Sequence, residues 1–589
     1  MDDRKGVFAG IVGVTISILF HSVLYAATPQ ELGFQQNEQL LREQQQQLKM
    51  QERERLLREL ERSLIPIEVP KPEEKRKPGI AAETCFVINE IELQGADNLL
   101  QSEKQQLVQP WLGMCMTLDD IDTLRVEIDR YYIEKGWVMS RTYLQPGQNL
   151  KAGKLIFKVL EGTLNEIRLN DNRFGDRVQA AMAFPGMRDE IINIRDIEQG
   201  LDQINRLQSN RATMGIEPVK GKPGYSDIMV KNKPNNPYRF FLGYDNQGSE
   251  STGKERGKLS GDLDNLFSLN DHIYIMATDY VGDSTDGTDS ESMSVNVDIP
   301  YGYWNYGLGA NYSKYVSIVD DPITPFQMSG ESTGSTVKVT RVLSRGKKSK
   351  TSASAVLNLK ESTTYLEDVK LESSSRKLTV FDLQLLHILR QDSTVWSLQA
   401  GYSRGLELFD ALLDVPGTGD DIPKAQFEKL SWDVSVTHGF KALEYDWTYR
   451  GVLSGQWSSD PLFGSEQIAM GDLNTVRGFR DSPVSGDSGM YFKNDLVWYA
   501  PSSLKYLKGM SFSAGLDFGY ASVKNDNIAN TGKGDATLIG VSVGASQAIR
   551  FAWDQQLSWS VSIGKSISAP EFVEEEDMVA FFDLSWKFW

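Results

Sequence analysis

Short segments in which apolar and polar residues alternate make up the chain from about residue 237 to its end. Two clear examples have apolar residues at every second position, namely Tyr306, Leu308, Ala310 and Tyr312, and Ala580, Phe582, Leu584, Trp586 and Phe588. A period of two predicts β-strands with one apolar and one polar face. The apolar face would contact a second sheet in a soluble sandwich, or lipid in a membrane barrel.

Composition favours the barrel over the sandwich. The chain contains 25 Phe, 22 Tyr, 12 Trp and 50 Gly, and no run of 18 or more apolar residues follows Phe20. Clusters of Gly, Asp, Ser and Thr, such as residues 282–292, separate the strands as exposed loops would. Residues 236–589 therefore predict a transmembrane antiparallel β-barrel, and roughly 20 residues per strand and connection gives about 16 strands.

Residues 83–163 have a different pattern, which predicts a small α/β module. A strand is expected from Phe86 to about Gly95, followed by helices over 102–111 and 118–135 and strands over 137–144 and 154–161. The second helix has its apolar residues three or four positions apart, and Thr117 or Asp119 can cap its N-terminus. The order predicts one sheet with helices on one face.

Residues 164–235 repeat this order. Strands are expected over 164–169, 210–218 and 226–231, and helices over 174–184 and 194–205. Two such modules in tandem are an internal repeat with low sequence identity.

Three further segments precede the modules. Residues 1–27 predict a signal peptide, because Arg4 and Lys5 precede an apolar run over 7–20 and small residues follow at Ala26 and Ala27. A single membrane anchor is the alternative, but the run is short for a span. Residues 28–64, rich in Gln, Glu, Arg and Leu, predict a helix with a thin apolar face, or else a short coiled coil or disordered arm. Residues 65–82 alternate Pro with Glu and Lys and predict an extended linker.

The two cysteines, Cys85 and Cys115, would lie in the oxidising periplasm after export. A disulfide bond between them would close a loop of about 30 residues and contribute roughly 3 kcal/mol. Two unpaired buried thiols are the alternative. The net charge of −18, from 62 Lys plus Arg and 80 Asp plus Glu, argues against a nucleic-acid partner.

Several longer motifs point to one family. In the first module they cover residues 85–88, 91–96, 115–121, 132–138 and 140–144, and in the second 207–214 and 223–227. Residues 245–248, 251–253 and 264–271 follow at the start of the barrel. The most informative motif is Val476-Arg477-Gly478-Phe479. With these motifs the chain resembles the TpsB family, the outer-membrane transporters of two-partner secretion.

The resemblance implies an arrangement and a function. The modules would be POTRA domains in the periplasm, residues 28–64 a plug helix inside the barrel, and the cargo a large secreted TpsA-type exoprotein. Family cargos include haemolysins, adhesins and contact-dependent growth inhibitors. The barrel would contact outer-membrane lipid, and its aromatic C-terminal residues would be recognised by the barrel-assembly machinery during biogenesis.

The resemblance also implies a site. Arg477 would lie at the tip of a loop inside the barrel and pair with an aspartate of a wall motif F-x-D-x-G. Here Asp517 and Gly519 are present, but Gly515 replaces the leading Phe. An Arg–Asp pair contributes about 0–1 kcal/mol in contact with water, and more where water is excluded. A surface loop with an incidental Arg is the alternative.

No catalytic constellation is expected, nor any cofactor or metal. Gly486-Asp487-Ser488-Gly489 resembles a serine-protease segment, but only four His are available as a base and the transporter motif accounts for the same residues. Asp283, Asp286 and Asp289 lack the spacing of a calcium-binding EF-hand loop. The alternatives to an exporter are an outer-membrane barrel-assembly factor and a passive porin, and the latter would not need POTRA domains.

Overall fold

The computed structural model describes residues 38, 42, 84–282, 287–319, 325–480, 484–525, 527, 534–573 and 577–588. The predicted signal peptide, the linker, and all of the predicted plug helix except Glu38 and Arg42 lie outside these residues. They stay predictions.

The first module contains five strands and two helices. In chain order these are β1 (Phe86–Val87), β2 (Glu90–Gln94), α1 (Gln101–Val108), β3 (Cys115–Met116), α2 (Leu118–Glu134), β4 (Arg141–Leu144) and β5 (Lys154–Leu160). Strand β5 lies between β2, to which it is parallel, and β4, to which it is antiparallel. The helices cover this sheet, and their apolar residues form its core with Leu155, Phe157 and Val159.

Helix α2 follows from its sequence. Thr117 is its N-cap, because the Asp120 backbone N–H donates to Thr117 Oγ1 at 3.2 Å and the Asp120 carboxylate accepts from the Thr117 N–H at 2.8 Å. Ile121, Leu124 and Ile128 are buried along one face of the helix, as their spacing predicts. The helix ends before Gly136, which has a φ of +91°.

Two strands of this module differ from the prediction. The strand expected from Phe86 to Gly95 divides at Ile88, because Ile88 bonds to the backbone of Gly113 and Met114 and so directs β1 to pair with β3. The strand expected over 137–144 begins only at Arg141, because residues 137–140 form a turn in which the Ser140 N–H donates to Trp137 O at 3.1 Å.

The short β1–β3 pair carries a disulfide bond between Cys85 and Cys115, whose Cα atoms are 5.3 Å apart. Replacing both cysteines by Ser is expected to destabilise the first module by about 3 kcal/mol, because the bond closes a loop across 30 positions. Hydrogen exchange of the whole purified chain measures this. Amides of α2 and β5 should lose protection while those of the second module keep theirs, and unchanged protection of α2 would contradict the expectation.

The second module has the same topology. Its elements are β6 (Thr163–Leu169), α3 (Phe174–Ala183), α4 (Ile194–Asn205), β7 (Ala212–Pro218) and β8 (Tyr225–Asn232). Strand β8 lies between β6, to which it is parallel, and β7, to which it is antiparallel. The predicted repeat is confirmed as a repeat of structure. None of the helices in the described part of the chain is long and apolar enough to cross a lipid bilayer.

Apart from two 3-10 helical turns at Gly464–Glu466 and Ala552–Asp554, the remaining described elements are strands. They are β9 (Tyr238–Asp245), β10 (Arg256–Asp264), β11 (His272–Tyr280), β12 (Asp289–Tyr301), β13 (Trp304–Val319), β14 (Phe326–Arg345), β15 (Ser349–Leu366), β16 (Val369–Lys370), β17 (Arg376–Gln391), β18 (Thr394–Leu406), β19 (Glu428–Ala442), β20 (Tyr445–Ser458), β21 (Ile468–Met470), β22 (Val484–Gly486), β23 (Ser488–Tyr499), β24 (Met510–Ser522), β25 (Ala536–Arg550), β26 (Gln556–Ser568) and β27 (Val579–Lys587).

Sixteen of these strands form a closed antiparallel barrel within the described residues, in which β27 pairs with β9. The short β16 pairs with the end of β15, while β21 and β22 pair with each other. Alternation follows the prediction: Leu308, Ala310 and Tyr312 are exposed on the outside, and Gly309 and Asn311 between them are half-buried. The predicted barrel of about 16 strands is confirmed.

The second module contacts the strand connections at the end of the barrel that faces the two modules. Gln203 Nε2 donates to the Gly302 carbonyl at 2.7 Å, in the turn between β12 and β13. Arg345, at the end of β14, lies 2.9 Å from Asp202 Oδ2 and also pairs with Glu198. Burial raises the pKa of Asp202 although Arg345 opposes the shift. The module and the barrel rim are therefore joined by buried polar contacts.

Candidate functional site: a loop and a helix inside the barrel

The site is built on the connection between β20 and β23, residues 459–487, which we call the inner loop. Its described residues include the β21–β22 hairpin, which sequence reasoning missed. Ile468, Met470, Val476, Phe479 and Val484 of the loop are buried against the barrel wall. Their wall partners are Tyr491, Ala521, Ala536 and Leu538. Apolar packing therefore holds this loop inside the barrel.

Arg477 lies at the inner end of this loop, against β24. Its Nε donates to Asp517 Oδ2 at 2.6 Å and its Nη2 to Asp517 Oδ1 at 2.8 Å, which is the two-pronged geometry of an arginine fork. Nη1 lies 2.5 Å from Asp495 Oδ1, and Nη2 also donates to the Asn494 carbonyl at 2.8 Å. The structure thus brings together the Arg and the Asp that the motif singled out.

Burial determines how much the Arg477–Asp517 pair contributes to the stability of the loop position. Arg477 is 5% exposed and Asp517 is 0% exposed. The pair is therefore the water-excluded case, for which removing one partner costs about 3–5 kcal/mol because the other charge stays buried. Val476 and Phe479, the flanking motif residues, are 0% and 3% exposed and insert into the same apolar cluster.

Glycines make room where the loop meets the wall. Gly478 has a φ of +102°, and a side chain there would overlap the backbone of Lys565 on β26. A Cβ on Gly519 would lie 2.5 Å from Met470 Sδ, and a Cβ on Gly564 would lie 2.6 Å from the Gly478 nitrogen. A Cβ on Gly540 would overlap the Arg477 carbonyl. The inner loop therefore lies on a patch of bare backbone, which we call the glycine track (Gly515, Gly519, Gly540 and Gly564).

Gly515, where the motif departs from the family pattern, has a direct explanation. A Cβ at this position would overlap Arg477 Nη2 and lie 2.7 Å from Asn494 O. The guanidinium group occupies the space that a larger residue would fill. The departure therefore accommodates the Arg477–Asp517 pair in this chain.

Gly515→Ala is accordingly expected to displace Arg477 and loosen the inner loop. Limited proteolysis of intact cells from outside should cut the loop faster in this variant. Gly534→Ala is the matched control, because a Cβ there meets nothing within 4 Å. Equal cutting of the two variants would mean that the contact at Gly515 does not hold the loop.

Asp487 holds the outer end of the loop, a role that sequence reasoning missed. This buried carboxylate accepts from the Leu462 N–H at 2.7 Å, the Lys524 N–H at 2.7 Å and Asn527 Nδ2 at 2.8 Å. The neighbouring Ser488 Oγ donates to Ser458 O at 3.3 Å and accepts from the Ser458 N–H at 3.0 Å. In this fold the Gly-Asp-Ser-Gly segment thus connects the two ends of the inner loop and the segment after β24 by hydrogen bonds.

Glu466 is a second buried group that sequence reasoning missed. Lys360 Nζ and Lys429 Nζ lie 2.6 Å and 2.7 Å from its carboxylate oxygens. They come from β15 and β19, on a part of the wall away from Asp517 on β24. The inner loop is therefore tied to two separate parts of the barrel.

The two described residues of the predicted plug helix also contact the inner loop. Glu38 and Arg42 are helical and buried, and their spacing of four places them on one face. Glu38 accepts from the Gly464 N–H and pairs with Arg376 of the wall, and Arg42 Nη1 donates to Gln467 Oε1 at 2.9 Å. This part of the chain therefore lies inside the barrel, against the loop.

The described residues contain no group of three or more His, Cys, Asp or Glu that could hold a metal ion. Asp283 and Asp286 lie outside the described residues.

A cavity of about 650 Å³ remains in the lumen, and Arg42, Arg376 and Lys429 are among the polar groups that line it.

Comparisons with known proteins agree with this arrangement. The profile of the family described as haemolysin secretion/activation protein ShlB/FhaC/HecB matches residues 224–547. The ShlB-type POTRA domain matches residues 86–162, and a further POTRA domain matches residues 163–218.

Named relatives cover most of the chain. The outer membrane transporter CdiB of Dickeya dadantii is 33% identical over 506 residues, which cover 86% of this chain and 87% of the relative. The hemolysin transporter protein ShlB of Serratia marcescens is 28% identical over 70% of this chain and 72% of its own length. The solved structure of CdiB from Escherichia coli has a TM-score of 0.80 at 29% identity and covers 94% of this chain and 98% of that one.

The described residues of this chain combine two POTRA domains, a closed barrel of sixteen strands and a loop with the Val-Arg-Gly-Phe motif inside it. The chain therefore belongs to the haemolysin secretion/activation family of ShlB, FhaC and HecB, the TpsB transporters of two-partner secretion, and is an outer-membrane transporter with its POTRA domains in the periplasm.

Proposed function

We propose that this transporter exports a large TpsA-type exoprotein, and that the helix at Glu38 and the inner loop together close the resting channel. The observation that carries the proposal is the contact of Glu38 with Gly464 and Arg376. It joins helix, loop and wall at one buried point. Release of this contact frees the lumen for an extended chain.

The partner arrives unfolded in the periplasm. The outer strands of each POTRA sheet, such as β4 and β7, are edges to which an extended segment can add by main-chain hydrogen bonds. The buried contacts of the second POTRA domain with the barrel turns then place the bound segment next to the barrel entrance. Folding of the partner outside the cell supplies the free energy for its translocation.

Two further partners belong to the same proposal. The exposed apolar residues on the outside of the strands, such as Leu308 and Val543, contact outer-membrane lipid. The C-terminal Phe588-Trp589 is recognised by the barrel-assembly machinery while the barrel forms.

The test follows the exoprotein encoded beside this chain, in cells with and without the chain. Retention of the exoprotein in the periplasm only when the chain is absent supports export. Its appearance outside in both cases, together with failure of other outer-membrane barrels, would favour a barrel-assembly factor instead. Deletion of residues 83–233 should also abolish export, since it removes the POTRA domains.

A further inference from the structure

A cavity of about 350 Å³ lies where the first POTRA domain, the second POTRA domain and the barrel meet. The first domain contributes Trp137, the second contributes Met187, Ile192 and Gln199, and the turn between β12 and β13 contributes Tyr303. The cavity shares only Tyr303 with the residues that line the lumen cavity, and none of the inner-loop residues lines it.

The walls of this cavity are fixed by backbone hydrogen bonds between the three units. The Ile194 N–H donates to Gly136 O and the Ile192 N–H to Gly162 O, both at 2.8 Å, which joins the two POTRA domains. The Gly302 N–H donates to Met182 O at 2.8 Å, which joins the second domain to the barrel. The cavity is therefore preformed, as ligand sites generally are.

One polar atom of a residue that lines the cavity has no hydrogen-bond partner among the described residues. Gln199 is 1% exposed, and its Nε2 donates to the Gly302 carbonyl at 3.1 Å. Its Oε1 accepts no hydrogen bond from any of the described residues. A buried acceptor without a donor costs about 1–3 kcal/mol, so a ligand that brings an N–H donor gains by supplying it.

The charges around the cavity favour a ligand whose hydrogen-bond donor is positively charged. Asp196 lies in its wall and accepts from Tyr303 Oη at 2.5 Å, which leaves the carboxylate further lone pairs. Glu190 also lines the cavity and is exposed, so it lies at the mouth. No Lys or Arg is among the lining residues. Three nearby cations are already paired with carboxylates: Lys135 with Glu103, Arg195 with Glu198, and Arg345 with Glu198 and Asp202.

We propose that this cavity binds a basic side chain of the exported partner, arginine in preference, as the partner lies extended along the POTRA domains. Arginine has an apolar stem for the walls and five fixed donors for Gln199 Oε1 and Asp196. Its planar group also stacks on aromatic faces such as that of Tyr303. The inference rests on the proposed export function and adds a specificity site to it.

The test uses the purified full-length transporter in detergent and two blocked tripeptides, acetyl-Ala-Arg-Ala-amide and acetyl-Ala-Gln-Ala-amide. Ligand-observed NMR titration should show binding of the arginine peptide and at least about tenfold weaker binding of the glutamine peptide, which corresponds to 1.4 kcal/mol. The Glu190→Gln/Asp196→Asn variant should lose this preference. Asn keeps an oxygen that can accept from Tyr303, so the wall stays intact.

Glu217→Gln is the matched control, because Glu217 is an exposed carboxylate of the same domain outside the cavity. Equal binding of the two peptides, or an unchanged preference in the double variant, would overturn the proposal. A photo-crosslinking residue at Met187, but not one at the exposed Lys220, should also capture the partner in cells. Failure of the unaltered chain to export would contradict the proposed function alone, since the peptide titration does not depend on transport.

Discussion

Arg477→Ala is expected to abolish export while leaving the barrel assembled. The substitution removes both side-chain hydrogen bonds from Arg477 to Asp517 and the contacts with Asp495 and Asn494 O. It leaves the fully buried carboxylate of Asp517 without the arginine that balances its charge. A cost of about 3 kcal/mol shifts the loop equilibrium toward displaced positions by more than a hundredfold. The loop then no longer occupies the position against β24 from which we propose that the channel opens, so export fails. Secreted exoprotein measures the effect, and heat-modifiable migration on gels verifies the folded barrel.

Two variants sharpen this result. Arg477→Lys should not rescue export, because a lysine cannot donate to both oxygens of Asp517 in fork geometry. Arg404→Ala is the control, since the side chain of Arg404 is 57% exposed and pairs at 3.4 Å with Glu428, whose side chain is 48% exposed. Normal export by Arg477→Ala, or an equal defect in Arg404→Ala, would remove Arg477 from the mechanism.

Joining the helix to the inner loop by a disulfide bond should block export reversibly. A Cβ built on Gly464 would lie 2.9 Å from the Glu38 Cβ and 2.5 Å from the Glu38 carbonyl oxygen, and the Cβ atoms of bridged cysteines lie about 3.8 Å apart. A shift of about 1 Å therefore allows Glu38→Cys/Gly464→Cys to form a bond in the oxidising periplasm. Export should stop in the double variant and resume after a reductant is added.

The single variants are the controls, because each introduces the same local change without the bond. The experiment is done with Cys85 and Cys115 replaced by Ser, so that the reductant acts on the new bond alone. Export by the bonded double variant would mean that the helix stays in place during transport. That result would contradict the proposed closure while leaving the role of Arg477 open.

Local patterns predicted most of the elements. The helix predicted over 194–205 is α4 with the same bounds, because its apolar spacing and its Asn193 cap are local properties. The barrel strands follow from a period of two, and their number follows from the length of the region. Such features depend on residues a few positions apart, which is the range over which a sequence pattern is informative.

The site could be predicted only in part. The motif singled out Arg477 and Asp517, but their burial depends on how the loop packs against four separate strands. The contact between Glu38 and Gly464 spans 426 positions, and no local pattern carries it. The roles of Glu466 and Asp487 were missed for the same reason, since a buried carboxylate and a solvated one have the same sequence signature.

The glycine track has a consequence for repeated use of the transporter. Where the inner loop lies on these glycines it contacts backbone, so its proposed departure during export requires no change of side-chain rotamer in the wall at those four positions. At these four positions, the conformational entropy lost when the loop binds the wall again is that of the loop alone. The wall at Gly515, Gly519, Gly540 and Gly564 therefore needs no side-chain rearrangement before the loop can occupy it again.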